Sequence, residues 1–220
     1  MDVRTTCVAV VCGILTLAGC GGDGNGDPSQ KVTTRIYSDS SNDGDIALPL
    51  SSAYIVTQGM SSSVQSVFSG IDPSSGSEYR AFLDFPLTGG TGIPSNASIQ
   101  SAVLEMYIDS LQPPNGSLPI QIDLVAFQPP TLTGTDFDTV AQPALESINV
   151  TPDFTATDVG TLASIDVTSL MVQAQRQQLI DFQIRIMEVL GPAIPVLMEI
   201  DDSTGANRNS LAPLLTVTYF

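Results

Sequence analysis

The stretch from Tyr79 to Asp109 constrains the fold of this chain more than any other part of it. It opens Y-R-A-F-L-D-F, crosses a Gly/Pro-rich turn, and continues S-I-Q-S-A-V-L-E-M-Y-I-D. In the first run Ala81, Leu83 and Phe85 share one face, and Arg80, Phe82 and Asp84 the other. In the second, Ala102, Leu104, Met106 and Ile108 alternate with Val103, Glu105 and Tyr107. Successive side chains of an extended strand point to opposite faces, so this alternation describes strands packed on a core on one side. Gly89-Gly90-Thr91-Gly92-Ile93-Pro94 between them breaks any period and lets the chain reverse. Two long strands are therefore expected to set the sheet on which the rest packs.

The same alternation recurs elsewhere. Val32–Tyr37, Leu118–Phe127, Ala144–Val150, Ser164–Thr168, Ile180–Val189, Val196–Ile200 and Leu211–Phe220 read as strands. Ile46–Thr57 is interrupted by Pro49 and reads as an edge strand or two short ones. Gly59–Gly76, largely serine and glycine, reads as loop, and the long stretch from Pro129 to Asp158 as mostly irregular. One helix is expected after Val167, capped by Thr168 or Ser169, with Leu170, Met171 and Ala174 as its apolar face. Many short strands, many turns and one short helix point to an all-β fold, a jelly-roll-like antiparallel β-sandwich over residues 32–220. A closed barrel is the second solution.

The first residues read as an address. Arg4 precedes the apolar run Cys7–Leu17, which is too short to span a bilayer comfortably. It ends in Leu17-Ala18-Gly19-Cys20, which resembles the lipobox of bacterial lipoproteins. That resemblance implies a signal segment 1–19 removed on export and a lipid attached to Cys20. The protein would then sit in the bacterial cell envelope, held to a membrane by its anchor. Residues 20–31, rich in glycine and aspartate, read as a flexible tether. With Cys7 and Cys12 removed and Cys20 acylated, no disulfide is left to support the fold.

The ordered set of fold-determining segments resembles the DNRLRE-type jelly-roll domains of bacterial and archaeal surface proteins. The matching residues are Tyr79–Phe85, then Ile93-Pro94 followed by Ala97–Tyr107, Asp136-Phe137, Asp166-Val167-Thr168, Phe182–Ile186, and the closing Ser210–Tyr219. Some members of that group are carbohydrate-binding modules attached to polysaccharide-degrading enzymes, so the resemblance implies the architecture and, for some members, sugar binding.

Composition removes several kinds of chemistry. The chain has no histidine, which excludes Ser-His-Asp, Cys-His and His-metal sites. Lys31 is the only lysine and lies in the tether. A formal net charge of −16 repels nucleic acid. A carboxylate pair of the glycosidase kind remains as the one catalytic alternative, and nothing marks two such residues as facing each other. No catalysis is expected.

Two candidate sites stand out. Asp39, Ser41, Asp43 and Asp45, with Gly44 and Ile46, have the spacing that opens a calcium loop, but Leu50 stands where that loop has its bidentate glutamate. The same residues also suit a polar turn entering a strand. For sugar stacking, Tyr54 and Tyr107 are placed to face solvent, with Glu105 on the face of Tyr107; cross-strand packing suits them as well. The expected role is a lipid-anchored, non-catalytic binding or structural module. Polysaccharide is the first ligand to test, and an envelope protein is the alternative partner.

Overall fold

The computed structural model describes residues 30–51, 53–90, 92–127, 131–189 and 194–220. The segment read as a signal, Cys20 and nearly all of the stretch read as a tether lie outside these residues. The first strands are β1 (Val32–Tyr37), β2 (Gly44–Leu48), β3 (Ile55–Gln58), β4 (Ser66–Ile71), β5 (Glu78–Pro86) and β6 (Ile99–Gln112). They are followed by β7 (Ile120–Val125), the single-turn α1 (Gly134–Phe137), β8 (Glu146–Asn149), β9 (Thr161–Asp166) and the helix α2 (Thr168–Arg176). The chain closes with β10 (Asp181–Glu188), β11 (Leu197–Asp201), the single-turn α3 (Arg208–Leu211) and β12 (Leu214–Tyr219). Every strand pair among the described residues is antiparallel. The fold is an all-β, jelly-roll-like sandwich, a single curled sheet folded over one core.

The two long strands organise the molecule, but as the centres of opposite layers. β5 and β6 do not pair with each other. β6 is long enough to carry two strands end to end on one edge, β12 along Ile99–Glu105 and β11 along Ile108–Gln112, with β9 on the other edge. β5 repeats the device, with β10 and β4 in series on one edge and β2 on the other. The β11–β4 pairing joins the layers. The inward residues Ala81, Leu83 and Phe85 of β5 then meet Ala102, Leu104, Met106 and Ile108 of β6 in one core, all of them fully buried.

β4 lies where the sequence suggests loop. Its Ser/Gly-rich composition carries little strand propensity, and its stability comes from its position between β11 and β5, with Val67 inside the core and Ser69 Oγ donating to Ile186 O at 3.0 Å. Gly70 is required there, since it has φ +112° and a Cβ on it would lie 2.1 Å from Val196 O. Gly70→Ala is expected to cost about 2–3 kcal/mol of stability. Denaturant titration of the variant checks this, and a midpoint equal to the parent's would refute the close approach.

Helix α2 closes the side where β8 and β9 part. It touches β6 from one layer and β7, β8 and β10 from the other, and buries Leu170, Met171 and Ala174. The cap differs from the one expected. Val167 takes the cap position, Asp166 Oδ1 accepts the Thr168 N–H at 2.9 Å, and the Thr168 hydroxyl accepts the Ala102 N–H at 2.9 Å. A hydroxyl pulled onto a neighbouring strand is no longer free to cap its own helix.

Candidate functional site

The outer face of the β2–β5–β10–β7 layer is half covered and half open. The covered half is a second apolar cluster: Ile46, Phe82, Val125, Phe127, Leu132 and Phe137. Residues 131–145 fold back over it, so Phe82 and Phe127, out of phase with the main core, meet edge-to-face at 5.9 Å. Arg185 fastens this cover. It pairs with Asp123 Oδ2 through Nη2 at 2.6 Å and Nε at 3.1 Å, and Nη1 donates to Asp136 O and Gln142 O.

The open half is a cleft of about 260 Å³. Its floor follows from the β5–β10 register, which sets Asp84 opposite Gln183 and Pro86 opposite Asp181, all pointing away from the core. One rim is the β1–β2 turn, with Asp39 and Asn42; the other is the α2–β10 link, with Leu179 and Ile180. Asp39 O accepts the N–H groups of Asn42 and Asp43, and the Asp39 N–H donates to Asp84 O at 2.6 Å, so the turn is stitched onto β5. Asn42 Nδ2 donates to Asp84 Oδ2 at 2.8 Å. Asp84 is only 3% exposed, and Gln183 beside it also hydrogen-bonds its carboxylate. Burial raises the Asp84 carboxyl above the usual range, against the hydrogen bonds of Asn42 and Gln183 that lower it, and the charge of Asp39 adds a little. Asp181 is raised by burial and by its two acidic neighbours Asp84 and Asp39. Ile180 is 67% exposed beside these groups. Hydrogen-bonding groups beside exposed apolar surface are what a small-ligand site needs. The larger groove between β8 and β9, about 520 Å³, has one acidic residue on its wall, Asp166, whose carboxylate is engaged by Thr168.

A second acidic feature, Asp43 facing Asp202, lies beside Asp84, both residues fully buried. Asp43 Oδ1 accepts the Asp84 N–H at 2.7 Å. Asp202 Oδ1 accepts from Ser38 Oγ at 3.4 Å and lies 3.8 Å from the Arg208 guanidinium. Burial and then the facing Asp202 push Asp43 well above the carboxylate range, and Asp202 rises to about 6 for the first reason. Two bare charges in one buried space repel, so the pair favours sharing a proton, and the nearby Arg208 guanidinium offsets part of the remaining charge.

The four residues with calcium-loop spacing do not converge. Asp39 Oδ1 accepts from the Ser41 N–H and hydroxyl, closing a turn. Asp43 turns inward to Asp202. Asp45, on the face of β2 opposite Ile46, lines a separate groove with Phe68, Tyr79 and Glu199. Among the described residues no three acidic side chains form a group that could hold a metal ion. The physical reason is that β2 begins at Gly44, and a strand sends alternate side chains apart where a calcium loop would curl them together.

Tyr107 and Glu105 do share the outer face of β6, where Tyr107 stands opposite Leu162 of β9 and Glu105 opposite Ser164. Tyr54 belongs to the other layer. It packs on the Phe137 ring at 5.3 Å and against Gly134, and Arg80 stacks on the same Phe137 ring at 4.0 Å. The outer faces of the two layers point apart, so Tyr54 cannot share a ligand with Tyr107. Of the cleft residues, only Asp39 stood among the candidates read from the sequence. Asp84, Asp181 and Gln183 carried one available signal, polar residues at the outward positions of otherwise apolar strands. Comparison of the chain with protein-family models gave no match, and comparison with curated proteins gave none.

Proposed function

We propose that this domain is a non-catalytic binding module, held to the bacterial cell envelope by a lipid on Cys20, with carbohydrate as its first ligand class. The observation that carries the reading is the cleft at the open end of β5 and β10, where Asp39, Asp84, Asp181 and Gln183 stand beside Pro86 and Ile180. A sugar ring offers hydroxyls to the polar groups and an apolar C–H face to the wall. The non-catalytic part rests on composition, since a chain without histidine lacks the commonest general base. The anchor rests on the lipobox-like Leu17-Ala18-Gly19-Cys20, and the resemblance to DNRLRE-type domains supports a ligand of the carbohydrate class.

A glycan panel probed with the full chain tests this. At least one polysaccharide is expected to bind, with an affinity that falls about tenfold on Ile180→Ser, a change at an exposed position. Loss on Tyr107→Ala instead would move the site to the β6 face, and no binding across the panel would refute the carbohydrate class. Contact with an envelope protein is the second reading, favoured by exposed apolar residues on the edge strands: Ile55 at 56% on β3 and Leu162 at 50% on β9. Cross-linking that returns the protein alone would argue against it.

A further inference from the structure

We infer that the proton shared by Asp43 and Asp202 is a latch: while it is in place, residues 204–211, with α3, stay closed on the β1–β2 turn, and its loss lets them lift. Two carboxyls can hydrogen-bond each other only through a proton, and these two side chains do so in a fully buried space. Ser38, at the start of the turn, hydrogen-bonds both of them. The pair joins parts of the chain that are far apart in sequence. Asp43 belongs to the turn, where its Oδ1 accepts the Asp84 N–H at 2.7 Å. Asp202 follows β11, and its own N–H donates to Gln65 O at 2.8 Å.

The segment after Asp202 is the part able to move. None of residues 204–211 is buried. Arg208 and Asn209 tie it down: Arg208 Nη2 donates to Ser38 O, its Nη1 lies 3.8 Å from Asp202 Oδ1, and Tyr37 Oη donates to Asn209 O at 3.2 Å. The turn, by contrast, is stitched to β5 and to Gly59 and Met60 through its backbone. Arg208 from α3 is the cation at the pair. The acidic groups around it are Asp201 at the end of β11, Asp84 from β5 and Asp39 from the turn, and Asn42 donates to the last two. With the proton shared, the pair carries one negative charge and Arg208 offsets part of it. Without it, two buried charges face a single guanidinium, and access to water relieves them. The closed state binds the proton more tightly than the lifted one, so closure is favoured at low pH and lost as pH rises. Asp202 is raised to about 6 and Asp43 well above the carboxylate range, which places that loss above about pH 6.

Hydrogen exchange of the full chain, read by mass spectrometry as protection factors at about pH 6 and about pH 9, tests the latch. Each unit of pKa difference between the closed and lifted states is about a tenfold change in opening. Protection of residues 204–211 is therefore expected to fall about tenfold or more between the two, while staying below that of β6 at both. Asp43→Asn offers Asp202 a donor that does not titrate, so the fall should vanish. Arg208→Gln removes the cation, so the segment should already be poorly protected at about pH 6. Unchanged protection in the parent overturns the inference. A segment as well protected as β6 overturns it too, because it then opens only with the whole fold. A fall of the same size in Asp43→Asn assigns the effect to other carboxyls and overturns the latch. Should that variant fail to fold, a parent-like profile in Arg208→Gln does the same.

Discussion

Arg185→Leu is expected to lose about 3–5 kcal/mol of folding stability, among the largest effects of any single change in the molecule. Arg185 is fully buried and Asp123 is 1% exposed. Asp123 Oδ2 takes two guanidinium hydrogen bonds, and Oδ1 accepts from Gln121 at 2.7 Å and Ser147 at 2.6 Å. Leucine would leave the carboxylate buried without its cation, and would free the carbonyls of Asp136 and Gln142 that hold the cover over Phe82 and Phe127. Removing both charges should hurt less than removing one, because the desolvation of Asp123 disappears with it. Arg185→Leu with Asp123→Leu is therefore expected to recover most of the loss. Urea denaturation of the two single variants and the double variant measures the coupling. A double variant as unstable as the sum of the singles would show that the pair is not the unit described.

The second large effect concerns pH, and its direction is opposite to ordinary acid denaturation. Burial raises Asp45 to about 7, with Asp45 only 3% exposed. Asp202 rises to about 6, and Asp43 is also raised by burial and by Asp202. A carboxyl raised in the folded state binds its proton more tightly there than in the unfolded chain. Its contribution is fully present below about pH 4 and is lost as pH climbs through the folded value. For Asp45 the loss is on the order of 4 kcal/mol between about pH 4 and pH 8. Stability is thus expected to decline over that window, while the half-buried Asp72 and the exposed Asp166, lowered by hydrogen bonds from Ser75 and Thr168, act weakly the other way below it. Asp45→Asn should flatten much of the decline, leaving the variant close to the parent at pH 4 and clearly more stable at pH 8. Denaturant titrations at the two pH values decide it, and a parent whose stability rises from pH 4 to pH 8 would contradict the burial of these carboxyls as the dominant effect on their titration.

Much of the sheet was legible. β5, β6, β7, β10, β11 and β12 all carry period-two alternation, because each has one face on the core and the signal needs only the strand's own residues. β4 was not, since its serines and glycine are held by β11 and β5 rather than by local preference. The candidate site was legible only in fragments. Asp39 was visible as part of a polar turn, but the cleft joins it to residues of β5 and β10, and those neighbours exist only once register is set.

The sequence by itself determined the class of fold, the positions of most strands and which side of each faces inward, because those depend on neighbours one and two residues away. Tertiary structure alone decided which strands lie side by side. It placed β5 and β6 in opposite layers, sent Tyr54 and Tyr107 to opposite outer faces, and brought Asp43 against Asp202. Charges and hydrogen-bond partners act through space over a few ångströms, and for this antiparallel sandwich those distances are set by pairings between residues far apart along the chain.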